Sequence, residues 1–174
     1  EIDAIRPEDS IEEFSVAEIL ALAAERHGHV ARGKGLYFDM AIDDSLSEPL
    51  SGDRRAFERI VPNLVDNAVR FTDTGGIRVR ATRETSTDGA ATVFIEIADT
   101  GVGMSPEFVE KHLYTPFKQA ENALVRRHGG VGLGLAVAKK LVDRMRGGIE
   151  VSSREGEGTI FTVQLPLRIP SPVL

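Results

Sequence analysis

At 174 residues, with 41% apolar and 28% charged side chains, the chain is long enough for one globular domain with a buried core. Its net charge of −6 argues against a nucleic-acid grip built on general basicity, and the lack of cysteine removes disulfides and thiolate metal sites. No apolar run approaches the roughly 18–20 residues a membrane-spanning helix needs, and no secretory signal opens the chain.

The opening EIDAIRPEDSIEEF reads as the middle of a longer chain. SVAEILALAAER (15–26) has Val16, Ile19, Leu20 and Ala23 at helical spacing. LYFDMAI (36–42) alternates, with Leu36, Phe38, Met40 and Ile42 on one face, and predicts a half-buried strand. DRRAFERIVPNLVDNAVRF (53–71) places Phe57, Ile60, Val61, Leu64, Val65, Ala68 and Val69 on one helical stripe. Pro62 falls inside it, removes a hydrogen bond to Glu58, and is expected to kink or restart the helix. GIRVRAT (76–82) alternates again, and after the turn STDGA (86–90) so does TVFIEIAD (92–99). Ser105 before Pro106 reads as the N-cap of a short helix. Residues 115–130 show no period and read as a mobile loop. A glycine-led helix, the strand GIEVSS (148–153), the turn REGEG and the strand TIFTVQL (159–165) follow. The tail PLRIPSPVL is punctuated by proline and is expected to leave the domain. Several alternating strands with amphipathic helices predict an α/β sandwich of two layers, with helices on one face of the sheet and the other face open or lightly covered.

Three positions break the apolar pattern. Asp99 has the parity of Val93, Ile95 and Ile97, so a carboxylate is aimed inward at a strand end, where burial without a partner costs several kcal/mol. Gly101 and Gly103 keep the following backbone open. Read alone, Asp99 fits either a strand-ending turn or a carboxylate that accepts a hydrogen bond from a ligand amino group. Asn63, Asn67 and Arg70 cluster within about 60° at the flank of the apolar stripe. They fit either a solvated polar face or amide oxygens for a hard cation such as Mg²⁺. Thr159 shares the inward parity of Phe161, Val163 and Leu165, and its hydroxyl wants a partner: local backbone, Asp99 or a ligand of Asp99.

HGGVGLGLAVAKKLV (128–142) sets Gly129, Gly130, Gly132 and Gly134 against a helix start, where each glycine inside a helix would cost about 1 kcal/mol. A helix N-terminus carries unpaired N–H groups and partial positive charge, and glycines let phosphate oxygens approach it. The spacing matches neither the Rossmann fingerprint nor the P-loop. Polyphosphate cradle and lid hinge are both compatible with it.

The combination, in order, is specific. NLVDNAVRFT (63–72), DTGVGM (99–104), YTPFKQ (114–119), GGVGLGLAVAKKLV (129–142) and GEGTIF (156–161) closely resemble the N, G1, F, G2 and G3 boxes of the catalytic, ATP-binding domain of bacterial sensor histidine kinases, the GHKL type. The resemblance covers about residues 10–166, and the run from Pro116 to Val142 is most similar to kinases of hybrid type, in which a receiver domain often follows. It implies a Bergerat ATP-binding fold: a mixed, mainly antiparallel sheet packed on helices. It also implies a linker over 1–10 from a dimerisation domain, a catalytic domain over 11–166 and a tail over 167–174.

The resemblance further implies roles. Asp99 would bind the adenine amino group with Thr159 and water in support, and Gly101 and Gly103 would let the backbone wrap the base. Asn67 would ligate Mg²⁺, with Asn63 beside it near the phosphates. Arg70, where the family often has lysine, would contact phosphates or sugar, and Phe71 would lie near the base. Phe117 would anchor the lid, Arg126 would reach the phosphates from it, and Gly130, Gly132, Leu133 and Gly134 would cradle them. Asn63, Asn67 and Arg126 are thus the expected catalytic set, and ATP and Mg²⁺ the expected cofactors. Val131 stands where threonine is common, and His128 where the hybrid group is often aromatic.

None of His27, His29, His112 and His128 has the acidic neighbour and downstream proline of the family's phosphoacceptor helix, so the γ-phosphate is expected to go to a separate dimerisation domain of the same kinase. A response regulator or receiver domain would follow as partner. Nucleic acid and membrane contact by this domain are not expected, and the implied location is cytoplasmic. Two other classes remain. ATP-hydrolysing members of the fold carry Glu at the position of Asn63 to activate water, which an amide cannot do. A degenerate module would bind nucleotide or partners for regulation alone.

Overall fold

The computed structural model describes residues 11–114 and 134–171. Strand β1 (Ile11–Phe14) leads into helix α1 (Val16–Gly33), whose start is capped by the Ser15 hydroxyl accepting from the Glu18 amide at 3.3 Å. Strand β2 (Tyr37–Ile42), a 3₁₀ turn (Asp44–Ser47), strand β3 (Leu50–Asp53) and helix α2 (Arg54–Arg70) follow. The hairpin of β4 (Gly76–Thr85) and β5 (Ala90–Asp99) precedes the short helix α3 (Pro106–Lys111), capped by Ser105 as expected. Helix α4 (Gly134–Arg144) and the hairpin of β6 (Gly148–Arg154) and β7 (Gly158–Arg168) complete the described chain.

The seven strands form one mixed sheet in the order β1-β3-β7-β5-β4-β2, with β6 also paired to β7. Every pair is antiparallel except β2 with β4, which is parallel because the chain crosses from one to the other through α2. One sheet face is buried: Val79 and Ala81 on β4, Val93, Ile95 and Ile97 on β5, and Phe161, Val163 and Leu165 on β7. Arg78, Arg80 and Ile160 alternate with them on the exposed face. The helices lie on the buried side, so the two-layer α/β sandwich is confirmed. Phe57 of α2, fully buried, meets Phe14 of β1 edge-on with ring centroids 5.3 Å apart.

Three expectations change. α1 continues past residue 26 to Gly33, because Gly28 and Ala31 keep the buried stripe going. α2 runs through Pro62 without restarting. Its flanking residues Ile60, Val61, Leu64 and Val65 are all buried, so packing on both sides of the proline holds the helix that one missing bond would weaken. β7 extends to Arg168 with Leu167 buried, so the first residues of the expected tail lie in the sheet.

Asp53 ties the layers at one end. Its Oδ1 accepts from the Ala56 amide at 3.0 Å to cap α2, and its Oδ2 meets Arg144 Nη2 of α4 at 2.9 Å. Phe57→Ala is expected to cost about 3–5 kcal/mol in a urea denaturation series, since it removes a fully buried ring and leaves a cavity against Phe14.

Candidate functional site

Asp99 closes β5, facing Thr159 of β7 on one side and Ile77 of β4 on the other in the strand registers. Its inward parity is as the sequence requires. Asp99 Oδ1 accepts from the Gly101 amide at 2.9 Å and the Thr159 amide at 3.2 Å. Among the described residues nothing donates to Oδ2. Burial pushes the carboxyl up to about 6, against the pull of those two amide hydrogen bonds. The result is a shielded acceptor with one oxygen anchored and one open.

The loop after it is fixed from two sides. The Val102 amide donates to the Phe71 carbonyl at 3.1 Å, joining the loop to the C-terminal end of α2. A side chain at Gly101 would collide with that same carbonyl. Gly103 has φ +68 and packs against the Arg154 carbonyl, so both its conformation and its space call for glycine. On the other side the Met104 amide donates to Ser153 Oγ at 2.8 Å, and Ser153 Oγ lies 2.8 Å from Thr159 Oγ1. Thr159 is 6% exposed, and its hydroxyl pairs with Ser153 where Asp99 was one of the expected partners; its backbone amide is what reaches Asp99.

Asn63 and Asn67 are half-buried on α2, one turn apart. Neither amide side chain has a hydrogen-bond partner among the described residues. Gly134, at the described start of α4, faces Asn63: a Cβ there would lie 3.8 Å from the Asn63 amide oxygen. Two unpartnered amide oxygens beside a helix start fit a hard cation with phosphate oxygens. Arg70 Nη2 is held by Asp66 Oδ2 at 3.0 Å, and Asp66 Oδ1 lies 3.9 Å from His27 Nδ1 of α1. Phe117, Arg126, Gly130, Gly132 and Leu133, with the expected loop 115–130, lie outside the described residues.

Sequence reasoning did not single out Ser153, Thr100 or Asp66. Ser153 carried a readable signal, since it shares the parity of Ile149 and Val151 on β6 as Asp99 does on β5. Thr100 Oγ1 accepts from the Gly76 amide at 2.9 Å and donates to the Thr74 carbonyl at 2.7 Å, a bridge between loops with no periodic signature.

The open carboxylate, the glycine loop and the paired asparagines form the candidate site of this two-layer sandwich. The chain belongs to the histidine kinase-, DNA gyrase B-, and HSP90-like ATPase family, whose model matches residues 52–169. It is 36% identical, over 95% of its length, to an uncharacterized sensor-like histidine kinase of Rhizobium meliloti (strain 1021), of which the match covers 30%. It is 44% identical over 68% of its length to the sensor protein GacS of Pseudomonas syringae pv. syringae, covering 13% of that protein. The chain therefore spans a third or less of these relatives. Full-length ShkA, solved in complex with AMPPNP, matches with a TM-score of 0.76 at 27% identity, over 97% of this chain and 33% of that one.

The raised carboxyl has a consequence for stability. Asp99 binds its proton more tightly folded than unfolded, so folding is favoured by protonation and stability falls as pH rises from about 4 through about 6. Moving from the ordinary 3.8 to about 6 corresponds to at most about 3 kcal/mol, present as a cost above that range. Asp99→Asn keeps an acceptor for both amides and is expected to raise the denaturation midpoint at pH 7.5. At pH 3.5 the difference from the parent should vanish.

Proposed function

We propose that this chain is the catalytic domain of a protein-histidine kinase, binding ATP with Mg²⁺ and donating the γ-phosphate to a histidine on a separate dimerisation and phosphotransfer domain of the same kinase. The open Oδ2 of Asp99 carries the reading. It is a half-buried acceptor at the end of a central strand, matched to an amino group and followed by a loop whose glycines let the backbone pack closely. The family and the AMPPNP complex of ShkA support it.

Asp99 Oδ2 accepts an N–H of the adenine amino group, while Gly101 and Gly103 let the loop backbone wrap the base. Asn67, with Asn63 beside it, would hold the magnesium ion, which when bound offsets phosphate charge. Arg70 exchanges Asp66 for a phosphate or sugar oxygen. Gly134 with Gly130, Gly132 and Leu133 would receive the phosphates, and Arg126 would approach them from the lid. Asn63 offers no base to deprotonate water, which favours transfer to a protein acceptor over hydrolysis. A response regulator or receiver domain then takes the phosphoryl group, and the site of action is the cytoplasm. Among the described residues no helix is long and apolar enough to cross a membrane.

In a calorimetric titration, Asp99→Asn should weaken ATP by roughly 10–100-fold, because an acceptor becomes a donor facing a donor. Parent affinity should fall as pH drops below about 6, where Asp99 takes up a proton. Asn67→Ala should abolish the tightening by Mg²⁺ and leave adenosine binding intact. Equal affinity for ATP and GTP would overturn the assignment of Asp99.

Incubated alone with γ-labelled ATP, the chain should acquire no acid-labile label, whereas adding the parent kinase's dimerisation domain should label that domain. Arg126→Ala should slow this transfer more than it weakens binding. Label on the chain itself would place the acceptor here.

A further inference from the structure

Ser153, Thr159 and Asp99 stand in one row across three strands. Ser153 is opposite Thr159 in the β6–β7 register, and Thr159 is opposite Asp99 in the β5–β7 register. Residues directly opposite on one face place their side chains next to each other. All three are polar, at positions whose strand neighbours Val151, Phe161 and Ile97 face the core side.

A hydroxyl has one hydrogen and two acceptor lone pairs. Ser153 Oγ has three partners. The Met104 amide, at 2.8 Å, can only donate to it. The Gly158 carbonyl, at 3.1 Å, can only accept from it. The Thr159 hydroxyl, at 2.8 Å, can do either. All three contacts hold at once under a single assignment: Ser153 gives its hydrogen to Gly158 and accepts from both Met104 and Thr159. The hydrogen of Thr159 is then committed to Ser153. What Thr159 Oγ1 has left is lone pairs, beside a carboxylate whose Oδ2 is also an acceptor.

We propose that Ser153 is a specificity-determining residue of the base pocket: by fixing the Thr159 hydroxyl as an acceptor, it makes that side of the pocket accept hydrogen bonds only. Such a pocket takes a purine bearing an exocyclic amino group, whose N–H reaches Asp99 while Thr159 accepts from the ligand or from one bridging water. A purine with a ring carbonyl at that place meets only acceptors. Ser153 acts through Thr159 without touching the base. The proposal rests on the nucleotide reading above.

The test compares ATP with inosine triphosphate, which carries a carbonyl where ATP carries its amino group, by calorimetric titration of the whole chain. The parent should prefer ATP by roughly 10–100-fold. In Ser153→Ala the Thr159 hydroxyl is free to turn and donate, so the preference should narrow by roughly tenfold, chiefly through tighter inosine triphosphate. Ser153→Thr should retain the parent preference. Thr159→Val should weaken ATP and leave inosine triphosphate unchanged, and adding Ser153→Ala to it should change the ratio no further. Should Ser153→Ala fail to fold, Thr159→Val alone decides: equal loss of both ligands would overturn the proposal. So would an unchanged ratio in a folded Ser153→Ala, or a fall of both affinities by one factor, which would mean that Ser153 only supports the Met104 loop. A parent that binds neither ligand would overturn the nucleotide reading and this proposal with it.

Discussion

A carboxylate held facing inward at the end of a central strand is the constraint around which this end of the molecule is arranged. Asp99 sits there because β5 is paired along its whole length, from Ala90 to Asp99 with β7 and from Ala91 to Asp99 with β4. Strand parity cannot slip by one residue without turning Val93, Ile95 and Ile97 to solvent. The apolar side chains thus lock the charged one in place. The cost of shielding it, visible as a carboxyl pushed up to about 6, is offset in part by two amides on one oxygen.

The loop and helices follow from that anchor. The Gly101 amide turns back to Asp99, the Val102 amide takes the Phe71 carbonyl, and the Met104 amide takes Ser153. The first of these loop contacts belongs to β5, the second to the end of α2, and the third to β6. Helix α2 is fixed in its turn by Lys34 Nζ, which donates to the Val69 carbonyl at 2.7 Å, and by the Asp53 cap at its other end. Asn63 is thereby held beside the glycine at the described start of α4, with Asn67 one turn further along the same helix. Precise placement of such groups depends on elements that are rigid for reasons of their own.

The groups of the proposed site are few and chemically plain: one carboxylate oxygen, one hydroxyl, two amides and an arginine shared with Asp66. What they can offer is set by which lone pairs and hydrogens remain after the protein has used the others. The three contacts of Ser153 Oγ commit the Thr159 hydroxyl hydrogen to Ser153 and leave Thr159 Oγ1 as an acceptor.

Alternation and helical spacing were enough to determine β2, β4, β5, β6, β7 and the apolar stripe of α2, because each turns one apolar face to the core, fully buried on β4, β5, β7 and α2 and half-buried on β2 and β6. The same parity exposed Asp99 and Thr159 as polar residues on a core face, and the ordered boxes named the family. β1 and β3 were not legible: each is four residues long, and pairing with a neighbour distant in the chain is what makes them strands. The continuity of α2 through Pro62 was also decided by packing, which outweighs one missing hydrogen bond. So was the partner of the Thr159 hydroxyl. Sequence parity could say that this hydroxyl faces inward, but only the register of β6 against β7 brings Ser153 within 2.8 Å of it, because hydrogen-bond partners are set by distances between strands and not by spacing along one.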